Sequence, residues 1–191
     1  MYTPLATPGR LQNLLERAIA QFRIKDSVLL RRNQVHGGVH ERTVAHRLAF
    51  YLELELRADK VPGSVSVDCE YNRFGQDPKI LSEMESFRKI IEAADRNLTS
   101  RGELSILPDI IVHERGEKGT NYLVVELKKK SNSNPDSLRL DQLKLSRLTA
   151  DDCEYHYILG AEVLAVDLPD ESKQDLSIVA YWQHGQRHSV P

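Results

Sequence analysis

The stretch that decides the reading runs from Ile106 to Lys128: ILPDIIVH (106–113), the polar loop ERGEKGTN (114–121), and YLVVELK (122–128). Both apolar runs alternate and are rich in β-branched residues, as strands are, and the short loop with Gly116 and Gly119 between them predicts a hairpin. Side chains two apart in a strand share a face, so Glu126 and Lys128 point one way and Leu127 the other. Antiparallel pairing of the two runs brings Asp109 beside Glu126. Two carboxylates meeting near a lysine form an all-oxygen donor set for a hard cation such as Mg²⁺, with a cation at hand to hold the attacking water or help deprotonate it.

Working outward, Val44, Ala45 and Leu48 follow Glu41 by three, four and seven positions in a helix expected over 39–56, so Glu41 falls on that helix's inward stripe. A carboxylate there is costly unless a metal, its water or Lys128 pairs with it. Downstream, the loop SNSNP (131–135) precedes a helix over 136–149, in which Gln142 shares a stripe with Leu138 and Leu145 and could orient a water or a scissile phosphate. An amphipathic N-terminal helix is expected from Pro8 to about Arg32, and strands over 64–73, 156–167 and 176–182. Residues 80–98 read as helical, within an insertion spanning 80–105. The chain is then one α/β domain with a helical extension (1–36), a core (38–167) and a C-terminal strand (168–191).

Composition agrees with that class. The 191 residues are 40% hydrophobic and 28% charged, which excludes collagen-like and largely disordered chains. No window approaches the roughly 20 apolar residues of a membrane span, so no membrane partner is expected, and with no secretory signal at the N-terminus the expected location is cytoplasmic. Cys69 and Cys153 read as reduced structural thiols. Net charge is −2, but residues 1–48 carry +5 and residues 128–147 carry +4, two basic zones that could face a phosphate backbone, although charge alone favours plain solvated helix faces.

Other chemistry-bearing residues have plainer readings. His36 and His40 flank Gly37-Gly38 without a third ligand at zinc spacing, and either could contact phosphate. Glu70 reads as a cross-strand ion-pair partner close to the site, the Lys128–Lys130 run as phosphate-binding or, nearly as well for Lys129 and Lys130, as solvated loop residues, and Tyr155, Tyr157 and Trp182 as packing residues.

Together, Glu41 in the first helix, Pro108-Asp109 on the second strand, Glu126-Leu127-Lys128 on the third and Gln142 in the following helix resemble the PD-(D/E)xK nuclease superfamily. The resemblance implies a restriction-endonuclease-like core: a central mixed β-sheet flanked by helices in αβββαβ order, here with an extra N-terminal helix and a helical insertion. It implies metal-dependent hydrolysis of nucleic acid, with DNA the expected substrate. Asp109, Glu126 and Glu41 would serve Mg²⁺ or Mn²⁺, Lys128 the nucleophilic water, and Gln142 an accessory motif. That motif often has a tyrosine four residues on, where this chain has Ser146. The family allows a homodimer in which each site cuts one strand. The rival expectation is a nuclease-derived binding or assembly module without turnover, against which stand the complete Asp109, Glu126 and Lys128.

Overall fold

In the computed structural model, which describes residues 5–31, 39–75, 77–82, 84–116, 119–129, 134–168 and 174–190, the chain is mixed α/β. Two helices open it, α1 (Pro8–Asp26), continued by a 3₁₀ turn at Ser27–Leu30, and α2 (Glu41–Ala58). A six-stranded sheet follows: β1 (Val65–Cys69), β2 (Ile110–Glu114), β3 (Asn121–Lys129), β4 (Leu159–Asp167), β5 (Gln174–Gln183) and β6 (Gln186–Ser189). The strands lie side by side in chain order, and every neighbouring pair is antiparallel except β3 and β4. That parallel step needs a crossover, supplied by α4 (Pro135–Leu148). Asn134 starts α4 by accepting the Asp136 N–H at 3.0 Å, with Pro135 in the first turn, where no N–H is needed.

The two faces of the sheet are covered by different helices. α1 and α2 bury Val65, Ile110, Val112, Leu123, Val125 and Leu127, while α4 covers Ile111 and Val124 together with Tyr155, Tyr157 and Trp182. Those three aromatics are core residues, as expected. A side chain at Gly160 would meet Thr149, Trp182 and Leu145 atoms at 3.1–3.3 Å, so glycine lets α4 settle close over β4. Among the described residues, no helix is long and apolar enough to cross a membrane.

Two expectations need correction. Residues 80–98 are not one helix: Ile80–Leu81 pairs with Leu104–Ser105 in a small ribbon, and among the described residues between them lie a 3₁₀ turn (Met84–Phe87) and a six-residue helix, α3 (Arg88–Ala93). The Tyr155 hydroxyl accepts from the Ile80 N–H and donates to the Ile80 carbonyl, both at 2.8 Å, which fixes the backbone as extended where a helix would begin. The C-terminal segment is a hairpin and not a single strand. Its turn, His184-Gly185, takes φ of 49° and 74°, the left-handed pair that a tight two-residue hairpin needs.

Lys79 is buried completely, 0% exposed, with its amine 5.4 Å from the ring centres of Tyr71 and Tyr157 and 2.8 Å from the Tyr157 hydroxyl, to which it donates. Burial lowers its pKa to about 8, below the ordinary lysine value. Below that pH both folded and unfolded chains hold the proton; above it the unfolded chain alone holds it until the ordinary lysine pKa is passed. Stability contributed at this site therefore rises with pH through that window. Relative to Lys79→Met, the wild type should gain about 2 kcal/mol between pH 8 and 10, read from urea unfolding at each pH.

Candidate active site

The site grows from a mismatch in strand length. Pro108 has no N–H to give a ladder, so β2 begins at Ile110, opposite Val125, and not at Ile106 as the sequence pattern predicts. β3 runs on to Lys129, past the last pair of that ladder among the described residues. The amides of Leu127 and Lys129, freed from a ladder, are taken by two carboxylates. Leu127 N–H donates to Asp109 Oδ2 at 2.8 Å, and Lys129 N–H donates to Glu41 Oε2 at 2.7 Å. Between these anchors, Glu126 and Lys128 project from β3 toward the α4 side, on the same face as Val124.

Glu41 comes from the helix on the opposite face of the sheet, yet it reaches the same place because it is the first residue of α2. His40 caps that helix by accepting the Arg42 N–H at 3.3 Å, and a carboxylate at a helix N-terminus is favoured by the helix dipole. The Lys129 amine also donates to the Val39 carbonyl, tying the start of α2 to the end of β3. Glu41, Asp109, Glu126 and Lys128 thus line one cleft of about 490 Å³. The carboxylates expected to converge do so, with the Lys128 amine 3.7 Å from Glu41 Oε1.

The opposite wall is a stripe of α4, Ser137, Leu140, Asp141 and Lys144. Its two charged members were not singled out by the sequence pattern. Lys144 Nζ lies 2.7 Å from Asp141 Oδ1 and 2.8 Å from Glu126 Oε1, and Lys128 Nζ lies 3.4 Å from Asp141 Oδ2. Glu126 is only 2% exposed, and burial pushes its carboxyl well above the ordinary glutamate range against the pull of Lys144. Burial also raises Asp109, with the Leu127 N–H acting the other way. Burial disfavours the charged form of both lysines, but the surrounding carboxylates outweigh it: Asp141 and Glu41 hold Lys128, and Glu126 and Asp141 hold Lys144, above the ordinary lysine range.

Gln142 is not brought to this cleft. It is one residue round the helix from the lining stripe, and its Nε2 donates to Glu162 at 3.1 and 3.3 Å. Glu162, 3% exposed, sits directly across from Glu126 on β4, a lone charge in the apolar run 159–166 that could have marked it in the sequence. Gln142→Ala should therefore cost about 1–3 kcal/mol of stability, by leaving a buried carboxylate short of a donor. Cleavage measured well below the melting temperature should stay within a few-fold of wild type. A loss near a hundredfold in a fully folded variant would restore the accessory-motif role.

Other expectations resolve as follows. Glu70 does line the cleft, but its ion pair is with Arg42 at the start of α2 (2.6 Å) and not across the strands. Its φ of 49° places it in the left-handed region where β1 ends. His40 is the α2 cap, while His36, Gly37, Gly38 and Lys130 lie outside the described residues. Among the described residues of the basic zone at 1–48, Arg10, Arg17, Arg23 and Arg47 pair with Asp59, Glu55, Asp175 and Asp26, and His40, Glu41 and Arg42 line the cleft.

No family model and no curated protein matches the chain.

Whether the donor set suits a divalent ion can be judged from the residues themselves. Among the described residues, no three His, Cys, Asp or Glu side chains gather closely enough to form a cage. Mg²⁺ does not need one, since it binds through one or two carboxylates and keeps waters and substrate oxygens in its other positions. Asp109 and Glu126 are such a pair. The cleft is lined by five carboxylates, Glu41, Glu70, Asp109, Glu126 and Asp141, against four cations, Arg42, Arg96, Lys128 and Lys144, so acids exceed bases by one and a bound cation would offset the excess. The residues present fit the ion.

Proposed function

We propose that the chain is a metal-dependent nuclease of the PD-(D/E)xK type, with a restriction-endonuclease-like fold, hydrolysing phosphodiester bonds of DNA. The observation carrying this reading is the meeting of Glu41, Asp109, Glu126 and Lys128, from helix and strands far apart in sequence, around one cleft short of positive charge. Convergence of this kind is not expected of a chance E-x-K on a solvated strand. Asp109 and Glu126 would hold Mg²⁺ or Mn²⁺, which when bound polarises the phosphoryl group and offsets charge developing on it. Glu41, fixed by the Lys129 amide, orients water at the cleft mouth. Lys128, kept charged by its carboxylate neighbours, stabilises the attacking water and the transition-state oxygens and is not a proton acceptor. Arg42 and Arg96 line the same cleft as cations able to meet the backbone phosphates on either side of the scissile bond.

The test is cleavage of circular DNA, linear DNA and RNA in Mg²⁺, Mn²⁺ or EDTA, with Glu126→Gln as the control. DNA should be cut in either metal, not in EDTA and not by the variant. Intact nucleic acid in all metal conditions removes the reading and leaves the binding-module alternative; preferential cutting of RNA changes the substrate.

A further inference from the structure

The Lys144 amine sits where a cation's charge is most wanted. It is nearly enclosed, its side chain 13% exposed, between Glu126 and Asp141. Yet the contact with Glu126 is poorly aligned: Glu126 Oε1, 2.8 Å away, and Asp141 Oδ2, 3.4 Å from Lys128, are both buried oxygens without a hydrogen bond of acceptable geometry. The amine's other contact, 2.7 Å to Asp141 Oδ1, comes from a residue three positions earlier on its own helix and so stays within reach if the amine leaves Glu126. A carboxylate oxygen that touches an ammonium off the hydrogen-bond axis keeps a lone pair for another cation.

We infer that Lys144 is a tethered counter-ion that competes with the metal for Glu126, and that Asp141 is its retreat: ion entry displaces the amine from Glu126 while Asp141 keeps it paired inside the protein. This rests on the metal-dependent reading above and assigns roles to two residues that reading does not use. Asp141 is then not a metal ligand, although it lines the cleft. The arrangement keeps Glu126 from being left as a bare buried charge when no ion is bound, at the expense of metal affinity. An ammonium and a divalent ion sharing one carboxylate repel strongly at such distances, so one must move.

The experiment is calorimetric titration of Mn²⁺ into chelator-treated full-length protein, with free Mn²⁺ followed by electron paramagnetic resonance. Lys144→Gln removes the competitor and should bind Mn²⁺ about tenfold tighter than wild type, whereas Lys144→Arg keeps the charge and should stay within about threefold. Asp141→Asn denies the amine its retreat and should weaken binding about tenfold. Combining Asp141→Asn with Lys144→Gln should restore the affinity of Lys144→Gln alone, because without the amine there is nothing to house. A folded Lys144→Gln that binds no tighter than wild type overturns the competitor role; a double variant weaker than Lys144→Gln makes Asp141 a ligand and overturns the retreat. If Lys144→Gln does not fold, Asp141→Asn with unchanged affinity overturns the inference instead. Wild-type cleavage that still depends on Mn²⁺ in those cases leaves the nuclease reading standing, while folded proteins that bind no Mn²⁺ at all remove both.

Discussion

Asp109→Ala is expected to lose Mn²⁺ binding and cleavage together, with turnover down by about a thousandfold or more, the scale set by removing a group that fixes developing charge. Asp109 does two things at once. Its Oδ2 holds the Leu127 amide, and the carboxylate lines the cleft as one of the two proposed metal ligands. Alanine removes both, so stability should also fall by about 1–3 kcal/mol as the amide is left unpaired. Asp109→Asn separates them, since its amide oxygen can still accept from Leu127 while the charge is gone. It should melt close to wild type and be as inactive as the alanine variant. An Asp109→Asn protein that keeps wild-type turnover would show that the carboxylate serves only the fold.

Lys128→Ala is expected to behave in the opposite sense toward the metal. An ammonium has no lone pair to offer a cation and repels it, so Mn²⁺ affinity should hold or rise slightly. Cleavage should fall about a hundredfold to a thousandfold, because the charge nearest the attacking water is lost. The structure also fixes the sense of the pH dependence. Burial works against the charge on Lys128, but Asp141 and Glu41 outweigh it and keep the amine protonated well past neutrality. The sequence pattern left open that this lysine helps deprotonate the water, and a lysine held in its charged form does not. Wild-type turnover should show no inflection from Lys128 between pH 7 and 9; a rise through that interval that disappears in Lys128→Gln would make it a base after all.

How much of this was legible in sequence depends on the kind of signal. The alternation in 106–128 is a short-range property, and the hairpin it predicts is there, as is the neighbourhood of Asp109 and Glu126. Glu41 was legible too, because an acidic residue on an apolar helical stripe demands a partner. The place of Gln142 was not legible for a geometric reason: on a helix packed against a sheet, adjacent stripes look alike in sequence, and only the packing angle decides that Ser137, Leu140, Asp141 and Lys144 face the cleft while Gln142 faces Glu162. Lys144 was hidden because a lysine three residues after an aspartate reads as a solvated pair. The 80–98 segment failed because the Tyr155 hydroxyl, remote in the chain, sets the backbone at Ile80. The pairing of the basic zone's arginines was not legible, because charge counts along a chain do not record which acids lie opposite in space.

The two amides past the start of β2 have a consequence for how the molecule ages under stress. Leu127 and Lys129 belong to an interior strand whose other edge is laddered to β4, so the backbone that presents their N–H groups is displaced only when the sheet itself opens. Asp109 and Glu41 hang from those same amides. The strand half of the site therefore has no melting step of its own. Heat or urea should not produce a folded but silent population; residual activity should trace the folded fraction along one curve, and whatever hardens the sheet against opening lengthens the working life of the chemistry by the same factor.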